Sequence, residues 1–95
     1  MMLFAIMCND KPNSLELRLA QRPSHLDYLK SLGNKIKAAG PFLDDMGDPC
    51  GSLLIVEVET LELAKNIAAL DPYAKAELFD DVTIRPWKWV INNPE

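Results

Sequence analysis

The stretch that decides the fold is residues 52–59, which read Ser-Leu-Leu-Ile-Val-Glu-Val-Glu. This leucine- and β-branched-rich composition is typical of a β-strand. Side chains alternate across a strand, and here both faces are apolar, with Leu54, Val56 and Val58 on one and Leu53 and Ile55 on the other. A strand that is apolar on both faces belongs in the interior of a sheet. We therefore expect a central strand here.

Three other segments carry strand patterns. Residues 3–7 are a short apolar run closed by a turn-forming stretch, which predicts a second buried strand. Residues 35–43 and 82–90 alternate in the manner of strands, and each contains one proline, Pro41 or Pro86. Because proline cannot donate a hydrogen bond to a sheet, both segments are expected at sheet edges.

Two main helices are predicted between these strands. The first covers residues 24–32, with leucines at helical spacing, and Pro23 fits its first turn. A short helical piece over 14–20 precedes it. The second helix is capped by Thr60 and ends before Asp71, which is followed by a proline.

The resulting order is βαββαβ, and no linker or repeat interrupts it, so residues 1–95 are expected to form a single domain. This split βαβ arrangement predicts an α+β, ferredoxin-like fold with a four-stranded antiparallel sheet. The first and third strands take the middle of the sheet, and the second and fourth take its edges. Both strands that contain proline then lie where proline is tolerated.

Both faces of the two predicted central strands are apolar, whereas two helices cover only one side of a sheet. An uncovered apolar sheet of this size is an association patch. We therefore expect a homodimer that packs sheet against sheet. Trp87 and Trp89 share a face of the last strand and are expected to anchor that contact.

Composition excludes several classes of function. Fourteen acidic residues against ten basic ones give a net charge of −4, and no basic cluster is present, which argues against a nucleic-acid partner. No segment has the length of a membrane span or the pattern of a signal peptide, so the expected compartment is the cytoplasm. Cys8 and Cys50 are too few for a disulfide scaffold and lack CxxC spacing. The three aspartates of 44–48 lack calcium-loop spacing, so no metal site is expected.

The predicted connectivity brings four distant segments to one end of the sheet. They are the exit of the first strand (8–13), the start of the first main helix (22–25), the loop into the third strand (44–52) and the end of the second helix (71–73). The residues with chemically useful side chains that meet there are Arg22, His25, Ser52, Asp71 and Tyr73.

His25 is the only histidine and the candidate catalytic base. In the first turn of a helix it would lie beside unpaired N–H groups at the positive end of the dipole, which favours the neutral imidazole. Asp71, hydrogen-bonded to its other nitrogen, would fix the tautomer and stabilise the imidazolium formed on proton uptake. Arg22 suits an anionic substrate group held against the helix N-terminus. Ser52 and Tyr73 offer hydroxyl donors to a substrate oxygen.

Each of these residues also has a purely structural interpretation. A single histidine near a helix start is often a cap or a surface residue. Asp71 with the proline after it is an ordinary helix-ending turn, and Arg22 can be a solvated charge. Ser52 does not lie in a G-x-S-x-G motif, the nucleophile elbow of many hydrolases.

The chain also resembles the YCII-related family over nearly its whole length. The segments that carry the resemblance are Ser14-Leu15-Glu16 followed by Arg18, then Arg22-Pro23-x-His25-Leu26-x-Tyr28-Leu29, Ala39-Gly40-Pro41, Gly51-Ser52, Asp71-Pro72-Tyr73 and Pro86. The resemblance implies a ferredoxin-like fold in a dimeric α/β barrel, with a cleft built around a His and an Asp. These two correspond to His25 and Asp71.

The leading interpretation is a small-molecule enzyme that catalyses an isomerisation or elimination with no metal or organic cofactor. His25 would act as the general base, oriented by Asp71. The alternative is a non-catalytic binding or regulatory module that holds a small ligand in the same cleft. A third is a structural protein whose dimer surface is its function.

Overall fold

The computed structural model describes residues 1–94 and contains four strands and three helices. In chain order these are β1 (Met2–Asp10), α1 (Leu15–Ser31), β2 (Ile36–Leu43), β3 (Pro49–Val58), α2 (Leu61–Leu70), α3 (Pro72–Lys75) and β4 (Phe79–Trp87). A 3₁₀ turn, Gly33–Lys35, leads into β2. No helix within residues 1–94 has both the length and the apolar character that spanning a membrane requires.

The sheet has the strand order β2-β3-β1-β4, and every neighbouring pair is antiparallel. The register places Ile6 of β1 between Leu54 of β3 and Ile84 of β4. The predicted ferredoxin-like arrangement is confirmed, with β1 and β3 in the middle. Pro41 and Pro86 lie in the two edge strands, where no second neighbour needs their missing N–H groups.

The hydrophobic core lies between one face of the sheet and the helices. Phe4, Ile6, Leu54 and Val56 are almost completely buried there, and α2 packs Ile67 against them. The N-terminus of α2 is capped as predicted, because the Thr60 hydroxyl accepts the N–H of Leu63 at 3.2 Å. The other face of the sheet carries a shallow groove lined only by strand residues, among them Ala5, Met7, Leu53, Ile55 and Trp87.

The first helix differs from its prediction. The sequence suggested a break at Pro23, whereas α1 is one helix of 17 residues with Pro23 inside it. A proline in a helix interior removes one hydrogen bond and crowds the carbonyl four residues back, at a cost of about 3 kcal/mol. Buried contacts on both sides of Pro23, made by Arg18 and by His25, hold the two halves in one helix.

Two boundaries in the second half of the chain also differ. β3 begins at Pro49 rather than at Ser52, so the loop before it shrinks to a turn in which the Asp44 carboxylate accepts the N–H groups of Met46 and Asp48. β4 ends at Trp87, which places Trp89 beyond the strand. The two indole rings nevertheless lie 5.7 Å apart, centroid to centroid.

Candidate active site

A cleft of about 430 Å³ opens between α1 and the edge of the sheet formed by β2 and β3. Its walls are mainly apolar, including Leu19, Leu26, Leu29, Ala39, Pro41 and Pro49. The polar residues that line it are Arg18, Arg22, His25, Ser52 and Tyr73. The cleft is therefore an apolar slot with two cationic side chains and one imidazole, and no carboxylate lines it.

His25 and Asp71 form a buried hydrogen-bonded pair beside this cleft. The Nδ1 atom of His25 lies 2.9 Å from Oδ1 and 3.0 Å from Oδ2 of Asp71. Because a carboxylate can only accept, Nδ1 carries the hydrogen in the neutral ring. Among residues 1–94, no side chain or backbone group hydrogen-bonds the other ring nitrogen, Nε2. The lone pair of Nε2 therefore accepts no hydrogen bond from the described residues, and the ring borders the cleft.

Asp71 is itself fixed in place because it is the N-cap residue of α3. It caps α3, because its Oδ1 accepts the N–H of Tyr73 at 2.9 Å, and Pro72 occupies the first turn of that helix. The cap fixes the carboxylate at the end of α2, where α1 passes with His25. Asp71 is only 2% exposed, so its interaction with the imidazole is shielded from water.

Arg18 forms a second buried polar cluster next to the first. Its Nε and Nη2 atoms donate to the two carboxylate oxygens of Asp10 at 2.6 and 2.9 Å, and Nη2 also donates to Ser52 Oγ at 2.8 Å. The side chains of this ion pair are only 4% and 5% exposed. Gly51 allows β1 and β3 to approach closely at this point, because a Cβ there would overlap the Cys8 carbonyl oxygen.

Burial and nearby charges together shift the pKa values of three residues in these clusters. Burial alone would lower the pKa of Arg18, but the hydrogen bonds and the charge of Asp10 outweigh it and raise that pKa. Burial raises the pKa of Tyr73, and the positive charge of Arg18 partly opposes that rise. Burial, assisted by the charge of Asp71, raises the pKa of Cys8 to about 12. The Cys8 thiol therefore stays protonated at neutral pH and is not a nucleophile.

The structure brings together all five residues that the sequence singled out, but not in the predicted local settings. His25 lies about three turns into α1 rather than in its first turn, so the arguments from unpaired N–H groups and from the helix dipole do not apply to it or to Arg22. Ser52 and Tyr73 both line the cleft, and the Ser52 hydroxyl already accepts a hydrogen bond from Arg18.

Arg18 and Asp10 are the site residues that sequence reasoning missed. The sequence carries a signal for Arg18, because Arg18, Arg22 and His25 recur at intervals of four and three, which places them on one face of a continuous helix. The predicted break at Pro23 hid this spacing. Among residues 1–94, no group of His, Cys, Asp and Glu side chains is arranged to hold a metal ion.

The YCII-related domain model matches residues 2–88. The chain belongs to the YCII-related family. Two relatives in this family are an uncharacterised protein of Haemophilus influenzae, 41% identical over 98 residues, and protein YciI of Escherichia coli, 40% identical. Both matches cover 95% of this chain and 100% of the relative. The predicted resemblance is therefore confirmed.

Solved structures extend the comparison. The YCII-related chain superposes on 5-chloro-2-hydroxyhydroquinone dehydrochlorinase from Burkholderia phenoliruptrix, solved in complex with 2,5-dihydroxybenzoquinone, with a TM-score of 0.87 and 37% identity. That match covers 97% of this chain and 99% of the other. An antibiotic biosynthesis monooxygenase matches with a TM-score of 0.58 at 16% identity, which shows a shared fold.

Proposed function

We propose that this protein is a small-molecule enzyme that catalyses an elimination or isomerisation, with His25 as its general base and Asp71 as the group that orients it. One observation carries the proposal: Nδ1 of a buried histidine is paired with a buried carboxylate while Nε2 is left unpaired beside a cleft. A neutral imidazole in this arrangement accepts a proton at Nε2, and the carboxylate stabilises the resulting imidazolium.

The reaction proceeds by proton removal. Nε2 of His25 takes a proton from an acidic O–H or C–H of the substrate, and the released electron pair forms a new double bond. In an elimination, the leaving group departs with the electron pair of its own bond. In an isomerisation, the proton returns to a different atom. Neither path requires an external oxidant or reductant, because the leaving group or the returning proton balances the electrons.

A compact, hydroxylated ring is the substrate class that suits the cleft. Its apolar walls favour a ring, and Arg22, with no carboxylate in the lining beside it, favours an oxygen atom that carries negative charge. Arg22 is exposed and makes no ion pair among residues 1–94, so it is available to such an oxygen. The dehydrochlorinase of similar structure acts on a ring of this type.

Chloride release from 5-chloro-2-hydroxyhydroquinone tests the proposal directly. We expect the wild-type protein to release chloride and His25→Ala to lose at least about 10²-fold in kcat, as is usual when a general base is removed. Asp71→Asn should also lower kcat, because it removes the charge that stabilises the imidazolium. Asp27→Asn, an exposed change on the same helix as His25, is the control and should leave kcat unchanged.

Equal chloride release by the wild-type and His25→Ala proteins would contradict the role of His25 as base. If neither releases chloride above background but both bind 2,5-dihydroxybenzoquinone, the protein is a binding module, which is the alternative predicted from the sequence. Fluorescence titration measures the Kd for that ligand, and chloride release separates an enzyme from a module that only binds.

We also propose that two copies of the chain pack sheet against sheet. The groove on the face opposite the helices supports this, because its lining is largely apolar and comes from strands alone. In a twofold dimer each copy would bury this same apolar face against that of its partner.

A further inference from the structure

Between the two polar clusters, the ring of Tyr73 stacks on two side chains of α1. Its centroid lies 4.0 Å from that of His25, with an angle of 17° between the ring planes. The guanidinium carbon of Arg18 lies 4.5 Å from the same Tyr73 centroid. Tyr73 is 1% exposed, so its ring is held on nearly all sides.

The two distances fit a placement of Arg18 and His25 on opposite faces of the Tyr73 ring. Two planar groups that each lie about 4 Å from the ring centre would crowd each other on one face. The helix agrees with this placement, because seven residues span about 10.5 Å along an α-helix, enough to admit an aromatic ring between the two side chains. Along the axis of α1, the Tyr73 ring therefore lies between the Arg18 guanidinium and the His25 imidazole.

We propose that Tyr73 is a positioning residue whose ring sets the plane of the His25 imidazole. Arg18 packs against the opposite face of the Tyr73 ring and holds that ring in place. This inference rests on the proposed function of His25 as the base. The hydrogen bond from Nδ1 to Asp71 anchors one atom of the ring but leaves the tilt of its plane free. A face-to-face neighbour removes that freedom, which keeps Nε2 directed at one point in the cleft.

The support behind Tyr73 is rigid. Arg18 is held by three hydrogen bonds, two to Asp10 and one to Ser52, so the guanidinium has little room to move. Phe79 contacts the edge of the Tyr73 ring at a centroid distance of 6.0 Å and an angle of 79°. The backbone N–H of Tyr73 is bound to Asp71, so one carboxylate positions both stacked rings.

The test compares Tyr73→Phe, which keeps the aromatic ring, with Tyr73→Leu, which removes it. Tyr73→Leu should lower kcat at least about tenfold with little change in KM, because misplacement of a base slows the reaction rather than binding. Tyr73→Phe loses only the hydroxyl and keeps the stacked ring, so it should lose clearly less kcat than Tyr73→Leu. Chloride release from 5-chloro-2-hydroxyhydroquinone gives both parameters. Thermal unfolding confirms that each variant is folded.

Nuclear magnetic resonance provides a readout that needs no substrate. His25 is the only histidine, so its ring nitrogen and carbon-bound proton signals are assigned without ambiguity. In the wild-type protein and in Tyr73→Phe, the neutral ring should be a single tautomer with the hydrogen on Nδ1. In Tyr73→Leu it should populate both tautomers, because a tilted ring loses its aligned bond to Asp71.

A mixture of tautomers in the wild-type protein would overturn the inference without any variant. So would a Tyr73→Leu protein that keeps both the single tautomer and the wild-type kcat. If the wild-type protein does not turn the probe over, the proposed function fails, but the tautomer comparison still decides whether Tyr73 positions the ring.

Discussion

Arg18 and Arg22 are two arginines one turn apart on α1 that have different environments. Both line the cleft. Arg18 is buried and forms an ion pair with Asp10, whereas Arg22 is exposed. Residue type and spacing predict that both belong to one helix face, but which of them is buried depends on Asp10, the last residue of the strand before α1. The sequence alone does not reveal that pairing.

The same substitution at these two positions should therefore have different effects. Arg18→Met leaves the buried carboxylate of Asp10 without its partner and should lower the free energy of unfolding by about 3–5 kcal/mol. Arg22→Met should change it by less than about 0.5 kcal/mol, as is usual for an exposed residue, yet raise KM for an anionic substrate. Urea unfolding measures the first quantity. Similar losses of stability in the two variants would contradict this assignment.

At the scale of the elements, periodicity predicted the type of every main helix and strand, and local signals misplaced some of their ends. Pro23 is the clearest case. The local rule that proline opens a helix was outweighed by contacts with residues outside the helix, Arg18 with Asp10 and His25 with Asp71. The second contact joins residues 46 positions apart and is not visible in a window of a dozen residues. The position of His25 along α1 was therefore wrong, although the end of the sheet that holds it was right.

Because Pro23 lies in the interior of α1, its replacement should stabilise the protein. Pro23→Ala restores an N–H that can donate to the Leu19 carbonyl and removes the steric clash, while it frees the unfolded chain slightly. We expect the free energy of unfolding to rise by about 1–2 kcal/mol, less than the full 3 kcal/mol cost of an interior proline. Thermal and urea unfolding measure the change.

Ser24→Ala is the control, since it alters the next exposed helix position without restoring any backbone donor. Its effect should be a few tenths of a kcal/mol. A Pro23→Ala protein that is less stable than the wild type would show that the proline is accommodated by the packing of α1 rather than tolerated at a cost.

For the whole molecule, connectivity predicted more than local patterns did. The crossover rules placed β1 and β3 in the middle of the sheet, and this brought His25 and Asp71 to one end even though 46 positions separate them in the chain. The two apolar faces of 52–59 are both present, one in the core and one on the open groove.

Light scattering should give a solution mass of about twice the 10.7 kDa of the chain, because a second copy would bury the apolar residues that line the groove. Leu53→Glu places a charge in the groove and should produce a monomer. Leu63→Glu is the matched control, since Leu63 is an exposed leucine of α2 and its replacement should leave the mass unchanged. A wild-type monomer at tens of micromolar, or a Leu53→Glu protein that stays dimeric, would exclude this face as the contact.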